Sequence, residues 1–171
     1  VYGIETEESF IDSRLRTIFN YDELFGTIVN RFITQAVIGY PLTVYGKGGQ
    51  TRGYLNIKDT LQCVHKAEQN PAKIGQLNIY NQIMETFSVN QLAELTQQAG
   101  TEIGFDIKIK NIENPRVELE EHYYNPTYQG LKELGVKPNY LTKQSMKDMF
   151  EIVAQHKDQI RKEVIFRGVK W

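Results

Sequence analysis

One cysteine, one tryptophan, three histidines and five prolines are spread over 171 residues. The lone Cys63 cannot close an internal disulfide or supply a cysteine metal cluster, and a reducing compartment is expected. His65, His122 and His156 lie far apart and have no i, i+4 partner of ligand type, so no metal site is expected. An excess of one charge is lacking too. Lys+Arg number 20 and Asp+Glu 21, a formal net charge of −1. Phosphate neutralisation needs a cationic excess, so binding nucleic acid by bulk charge is excluded. Mean hydropathy is −0.46, and no apolar run approaches the ~18 residues of a membrane span. The opening Val-Tyr-Gly-Ile-Glu-Thr-Glu-Glu has neither the basic n-region nor the apolar h-region of a signal peptide. It also lacks Met, which reads as a fragment or a processed chain. G-x-S-x-G is absent, and no spacing supports a Ser/His/Asp nucleophile.

What is present suffices for a globular core: 40% hydrophobic and 24% charged residues, one domain or one and a half. Leu24, Ile28, Phe32, Gln35 and Ile38 fall near 3.6 spacing, predicting a helix from an Asp22 N-cap to a Gly39 stop. Pro41–Tyr45 reads as a short strand, Gly46–Gly49 as a loop and Gly53–Ile57 as extended. A helix over 58–69 ends at Asn70-Pro71, and Gln76–Tyr80 reads as a buried strand. Ser88 and Gln91 form a capping box for the next helix. Phe105–Ile112 alternates as a strand, 113–126 is a loop, and 127–134 is a short helix stopped by Gly135. Thr142 caps a last helix to about Arg161. The order is that of a mixed α/β chain. Leu92, Leu95, Ile107, Ile109, Leu131, Met149 and Val153 are expected to share the core of one small lobe. Cys63, between Leu61 and Val64, is expected to be a buried structural thiol.

Three motifs carry chemistry. Gly46-Lys-Gly-Gly-Gln50-Thr-Arg52-Gly53 is neither G-x-G-x-x-G, since Thr51 takes the third glycine's place, nor a Walker loop. It is either a flexible turn or a backbone that an anion approaches closely, with Lys47 and Arg52 supplying charge. Tyr54…Lys58 and Tyr128…Lys132 have the Tyr-x-x-x-Lys spacing of an acid–base pair. Ten Tyr and 13 Lys in this chain give about 0.8 such matches by chance, so both read as decoys. Asn114–Asn125 is either a solvated loop or a ligand cradle. In the cradle Arg116 forks onto a phosphate, a Glu takes ribose hydroxyls and Tyr123 covers a sugar or base.

Pro41-Leu-Thr-Val-Tyr-Gly-Lys-Gly-Gly-Gln-Thr-Arg-Gly-Tyr-Leu-Asn-Ile-Lys-Asp59 resembles a pattern of the extended short-chain dehydrogenases that act on nucleotide sugars. There an L-x-V/I-Y/F-G strand and a glycine turn precede T-R-D-Y-x-x-V-x-D. Gly53 departs from it, standing where ordinary epimerases usually have Asp. Val1-Tyr-Gly3, Tyr21 to Thr27, Val44 to Tyr54 and Asn114 to Asn125 narrow the likeness to the branch that adds sulfite to UDP-glucose. The resemblance covers essentially all 171 residues.

That resemblance implies an α/β fold: the C-terminal substrate-binding lobe of an extended short-chain dehydrogenase, with the last strand-helix elements of the NAD-binding Rossmann domain. Residues 1–171 would be one nucleotide-sugar-binding part, of which about 56–88 would pack on the Rossmann domain. It implies an NAD-dependent enzyme that oxidises UDP-glucose at C4, removes water across C5–C6, adds sulfite at C6 and returns hydride to C4. Arg52 and Arg116 align with diphosphate-binding arginines. Thr43 and Tyr45 lie on the strand whose backbone meets the uracil edge. Thr27 aligns near a helix N-terminus suited to anions. Gln50 lies in the turn, Tyr123 over the nucleotide sugar, Glu118 or Glu120 at the ribose, and Val1 against the nicotinamide. The catalytic tyrosine and lysine would precede Val1, so this stretch alone is expected to be inactive. Another UDP-sugar epimerase or dehydratase, or a non-catalytic binding module, would share these features. The partners the resemblance implies are UDP-glucose and a sulfite source, with room for a second copy in a homodimer, and neither nucleic acid nor membrane. The expected compartment is the cytoplasm, or the chloroplast stroma in a plant or alga.

Overall fold

In the computed structural model, residues 1–4, 6–114 and 126–165 are described, without the side chains of Glu7 and Phe10. The helices are α1 (Glu7–Ile11), α2 (Ile28–Val37), α3 (Ile57–Gln69), α4 (Val89–Glu102), α5 (Gln129–Glu133) and α6 (Lys143–Gln155). The strands are β1 (Leu42–Tyr45), β2 (Thr51–Tyr54), β3 (Glu85–Ser88) and β4 (Ile109–Ile112). β1 and β4 pair in parallel, Leu42 opposite Ile109 and Tyr45 opposite Ile112. β2 and β3 form a second two-stranded sheet. The chain divides into two compact units, residues 1–17, 52–86 and 126–140, and residues 18–51, 87–114 and 141–165.

In the second unit α2, α4 and α6 pack on one another, and α2 and α4 also pack on β1. Every residue of α2 from Val29 to Val37 is buried, including Asn30, Arg31, Thr34 and Gln35. The helix starts later than expected. The Asp22 carboxylate accepts the Leu24 and Phe25 N–H groups at 2.9 and 2.8 Å. That local bonding closes a separate turn, leaves Phe25 exposed and makes Thr27 the N-cap. Gly39, at φ +72°, ends the helix region. The capping box of α4 is present: Ser88 Oγ accepts the Gln91 N–H, and Gln91 Oε1 accepts the Ser88 N–H. α6 has the same device in Thr142 and Ser145. It ends at Gln155 and not near Arg161, because its last bonds tighten into 3₁₀ turns at Lys157–Gln159 and Lys162–Val164.

β4 is shorter than the expected strand. Phe105 stacks on Phe150 of α6, with ring centroids 5.1 Å apart, and Gln97 of α4 donates to the Ile107 carbonyl at 2.7 Å. Helix side chains hold 105–107, and the β1 ladder begins at the Lys108 carbonyl, which accepts the Leu42 N–H. Leu92, Ile107, Met149 and Val153 are buried as expected. Leu95 is only half-buried and Ile109 lies at the surface.

Leu131 is buried, but in the first unit, where it packs with Leu55, Cys63, Met84 and Val136. Asn56 caps α3, its Oδ1 accepting the Lys58 N–H. The fully buried Asp59 carboxylate accepts the Asn139 N–H at 2.9 Å, the Asn139 side-chain amide and the Gln62 amide. Tyr2, also buried, bridges in parallel to Asn56, and its hydroxyl lies 3.0 Å from Glu85 Oε1 and 3.2 Å from the Asn139 carbonyl. Burial first, and the Glu85 carboxylate second, push the Tyr2 phenol far above its usual range. Cys63 is 2% exposed, and burial raises its thiol. The expected buried strand at Gln76–Tyr80 does not form. Leu77 and Ile79 are 81% and 77% exposed. Among the described residues no strand pairs with this segment, and an extended stretch without a neighbour leaves its ladder groups unmade. Tyr80 alone of the five packs on the first unit's core cluster.

Two outcomes follow from the second unit. A Cβ on Gly100 would overlap Ile107 Cδ1 and come within 2.9 Å of Phe150 Cζ. Gly100→Ala should therefore destabilise by about 1–3 kcal/mol through overpacking, even against the ~1 kcal/mol helix gain of alanine; chemical denaturation reads the sign. Glu102 pairs with Lys147 and Lys143 across α4 and α6, which pull its carboxyl down to about 2. The folded value is depressed, so the contribution is complete above the ordinary 4.5 and is lost as pH falls through about 2. The pair is open to water, so the effect is small and salt-screened. The melting-point gap between wild type and Glu102→Gln should be constant from about pH 7 to 5 and close on further acidification.

Candidate binding site

β1 directs alternate backbone groups to its two edges. The Leu42 and Gly46 N–H groups go to the Lys108 and Ile112 carbonyls on the β4 side. Thr43 and Tyr45 turn theirs to the opposite edge, by the period of two in an extended strand. Two glutamines meet that edge. Thr43 N–H donates to Gln35 Oε1 at 3.1 Å, and Gln35 Nε2 donates to Thr43 Oγ1 at 2.8 Å. Gln50 Nε2 donates to the Tyr45 carbonyl at 3.3 Å. Gln35 is fully buried and Thr43 nearly so, so both side-chain bonds are shielded from water.

α2 brings two more groups to the same unit. Thr27 caps it with an extended backbone and no side-chain cap bond. One turn on, Arg31 donates its N–H to the Thr27 carbonyl at 3.0 Å. Arg31 is 6% exposed, and its guanidinium lies over the Tyr45 ring, 5.0 Å from the centroid. Such stacking suits a planar, weakly hydrated cation. Thr27 Oγ1 and Gln50 Oε1 are buried and have no hydrogen-bond partner among the described residues. Groups of this kind need an explanation in a native structure, and a bound polar ligand is one. The set holds hydroxyls, an amide, a cation and an aromatic face. It suits recognition of a polar ligand and contains no acid–base pair.

The glycine turn is held, not loose. Asn111 donates to the Gly46 carbonyl at 2.8 Å, and Asn90 of α4 meets the Lys47 and Gly48 carbonyls. The turn therefore joins β1 and α4 in one unit with Thr27, Thr43, Tyr45 and Gln50. Arg52, on β2, and Val1, half-exposed beside Tyr2, belong to the other unit. Arg116, Glu118, Glu120, His122 and Tyr123 lie outside the described residues. Lys132 stands over the Tyr128 ring, 4.6 Å from its centroid, which is a cation–π pair. Among the described residues no glycine-rich turn opens a helix after a strand in the dinucleotide manner.

Arg31, Gln35 and Asn90 were passed over in the sequence. Gln35 had a signal, since a polar residue on the apolar stripe of a helix implies a buried partner. Arg31 stands one helical turn after Thr27. Nothing in the sequence joins Asn90 to a turn more than forty residues earlier.

Solved structures with this fold include UDP-glucose 4-epimerase from Thermotoga maritima with UDP-glucose, at a TM-score of 0.63 and 19% identity, covering 83% of this chain and 43% of that one. UDP-glucuronic acid 4-epimerase from Bacillus cereus, in complex with UDP-glucuronic acid and NAD, gives 0.60 and 17% over 76% of this chain and 40% of that one. This chain thus shares its fold with part of these two enzymes. It is also similar in sequence, from end to end, to proteins named UDP-sulfoquinovose synthase. The chloroplastic one from Spinacia oleracea is 47% identical over 171 residues, all of this chain and 36% of the relative. The one from Sulfolobus acidocaldarius is 43% identical over 173 residues, all of this chain and 44% of the relative. The chain therefore spans less than half the length of these relatives. No family model matches it.

The Gln35–Thr43 pair is testable by stability alone. Gln35→Met leaves the buried Thr43 N–H and hydroxyl unpaired and should cost about 1–3 kcal/mol. Thr43→Val should cost less in the Gln35→Met background than in wild type, and a double-mutant cycle from urea unfolding measures the coupling.

Proposed function

We propose that the chain is the nucleotide-sugar-binding part of an NAD-dependent enzyme that converts UDP-glucose and sulfite to UDP-sulfoquinovose. The observation that carries this reading is identity of 47% and 43%, over every residue of the chain, to two proteins named for that synthesis. In this reading the Thr43–Tyr45 backbone edge takes the uracil, with Gln50 beside it and Thr27 at the start of α2. Arg52 and Arg116 fork onto the diphosphate, Tyr123 lies over the nucleotide sugar, and Glu118 or Glu120 takes the ribose diol. A diphosphate offers paired oxygens, which two guanidiniums grip bidentately. Val1 touches the nicotinamide by backbone. The rest of the NAD site and the acid–base pair belong to other parts of the protein, and the described residues contribute binding.

Labelled sulfite supplied to the whole protein with UDP-glucose should appear in a UDP-linked sugar. Conversion of UDP-glucose to its 4-epimer with no incorporation would assign the chain to an epimerase instead. In the same protein, Arg52→Ala or Arg116→Ala should weaken UDP-glucose binding by about 2–4 kcal/mol, or ~30- to ~1000-fold. Lysine at either position should rescue only in part, since it lacks the planar fork. Calorimetric titration decides; binding within about twofold of wild type for either alanine variant removes that arginine from the site.

A further inference from the structure

Asn90 opens α4 as its second residue, and the turn after β1 leans on it. Its backbone N–H donates to the Gly48 carbonyl at 3.0 Å. Its side-chain amide donates to the Lys47 carbonyl at 2.9 Å. The first four N–H groups of a helix have no partner within it. Here the turn supplies one acceptor, Gly48 O, and Ser88 Oγ supplies another to Gln91. Helix and turn thus satisfy each other, and the turn's far end is tied by Asn111 to Gly46.

The fit leaves no room at Gly48. It sits at φ +72°, and a Cβ there would overlap Asn90 Oδ1 and come within 2.6 Å of Val44 Cγ1. Close approach of Asn90 and a left-handed backbone therefore account for this glycine without a phosphate. The residues that follow are the ones that matter for a ligand. Gln50, whose buried Oε1 has no hydrogen-bond partner among the described residues, stands two residues past Gly48, and Thr51 and Arg52 continue into β2.

We infer that Asn90 is a positioning residue: from the first turn of α4 it fixes the Gly46–Gln50 turn and so presents Gln50 to the nucleotide sugar. The role of the ligand rests on the proposed function; the clamp itself does not. Asn90 touches no ligand in this account. It acts through the turn, and because its side chain is exposed, the effect is moderate.

Asn90→Asp separates the clamp from helix stability. Aspartate has the shape of asparagine but presents an oxygen, not an N–H, to the Lys47 carbonyl. In the first turn of a helix its negative charge is favourable, so α4 should not weaken. In the whole protein, hydrogen–deuterium exchange across 46–50 should quicken by ~10-fold while other peptides and the melting temperature stay close to wild type. KM for UDP-glucose should rise about 3- to 10-fold with kcat within about twofold, the mark of lost uniform binding. Gly48→Ala should change the same two readouts in the same direction. Unchanged exchange in Asn90→Asp would overturn the clamp. Faster exchange with unchanged KM would overturn the positioning role. A wild-type protein that does not bind UDP-glucose would overturn the proposed function and the positioning role together, while exchange would still report on the clamp.

Discussion

A side-chain amide sealed from water holds α2 and β1 together. Gln35 accepts from the Thr43 backbone and donates to the Thr43 hydroxyl, so α2 and β1 cannot slide past each other without exposing or orphaning both groups. A buried polar group left unpaired costs ~1–3 kcal/mol, which is a large share of a domain's stability. That one pairing sets the register that puts Arg31 over Tyr45 and Thr27 one turn away. Apolar contacts alone would hold α2 in place with less directional precision, because burial is non-directional.

The same unit solves a second problem at its other end. The turn after β1 must be tight, must lead into β2 and must not wander. The first turn of α4 has N–H groups to place, and the turn's carbonyls accept one of them. Both clamps place a residue of β1 or its turn against a helix: Gln35 acts from within α2, Asn90 from the start of α4. Neither uses a charged pair, so the arrangement should be insensitive to salt. The cation in the set, Arg31, is packed on an aromatic ring.

Much of the fold was legible because its signals are local. The Ser88–Gln91 capping box, the helix over 58–69 and the buried Cys63 rest on spacing and neighbours, and the structure has them. Failures came where a longer-range partner decides. Leu77 and Ile79 have the pattern of a buried strand, yet burial needs a second strand, and none among the described residues pairs with them. Asp22 looked like an N-cap because caps and Asx turns use the same residue; the bonds to Leu24 and Phe25 show the turn. Leu131 has the pattern of a core residue, but pattern does not say whose core, and it lies with Leu55 and Met84. The site divides the same way. The proposed site residues Thr43, Tyr45 and Gln50 fall in one short stretch of sequence, whereas Asn90 needed the fold to bring it to the turn.

A structure of the whole protein with UDP-glucose bound tests the central claim most directly. The account predicts the uracil edge on the backbone of Thr43–Tyr45, with the diphosphate within hydrogen-bond distance of the Arg52 and Arg116 guanidiniums. A nucleotide sugar seated with no hydrogen bond to Thr43, Tyr45, Arg52 or Arg116 would contradict it.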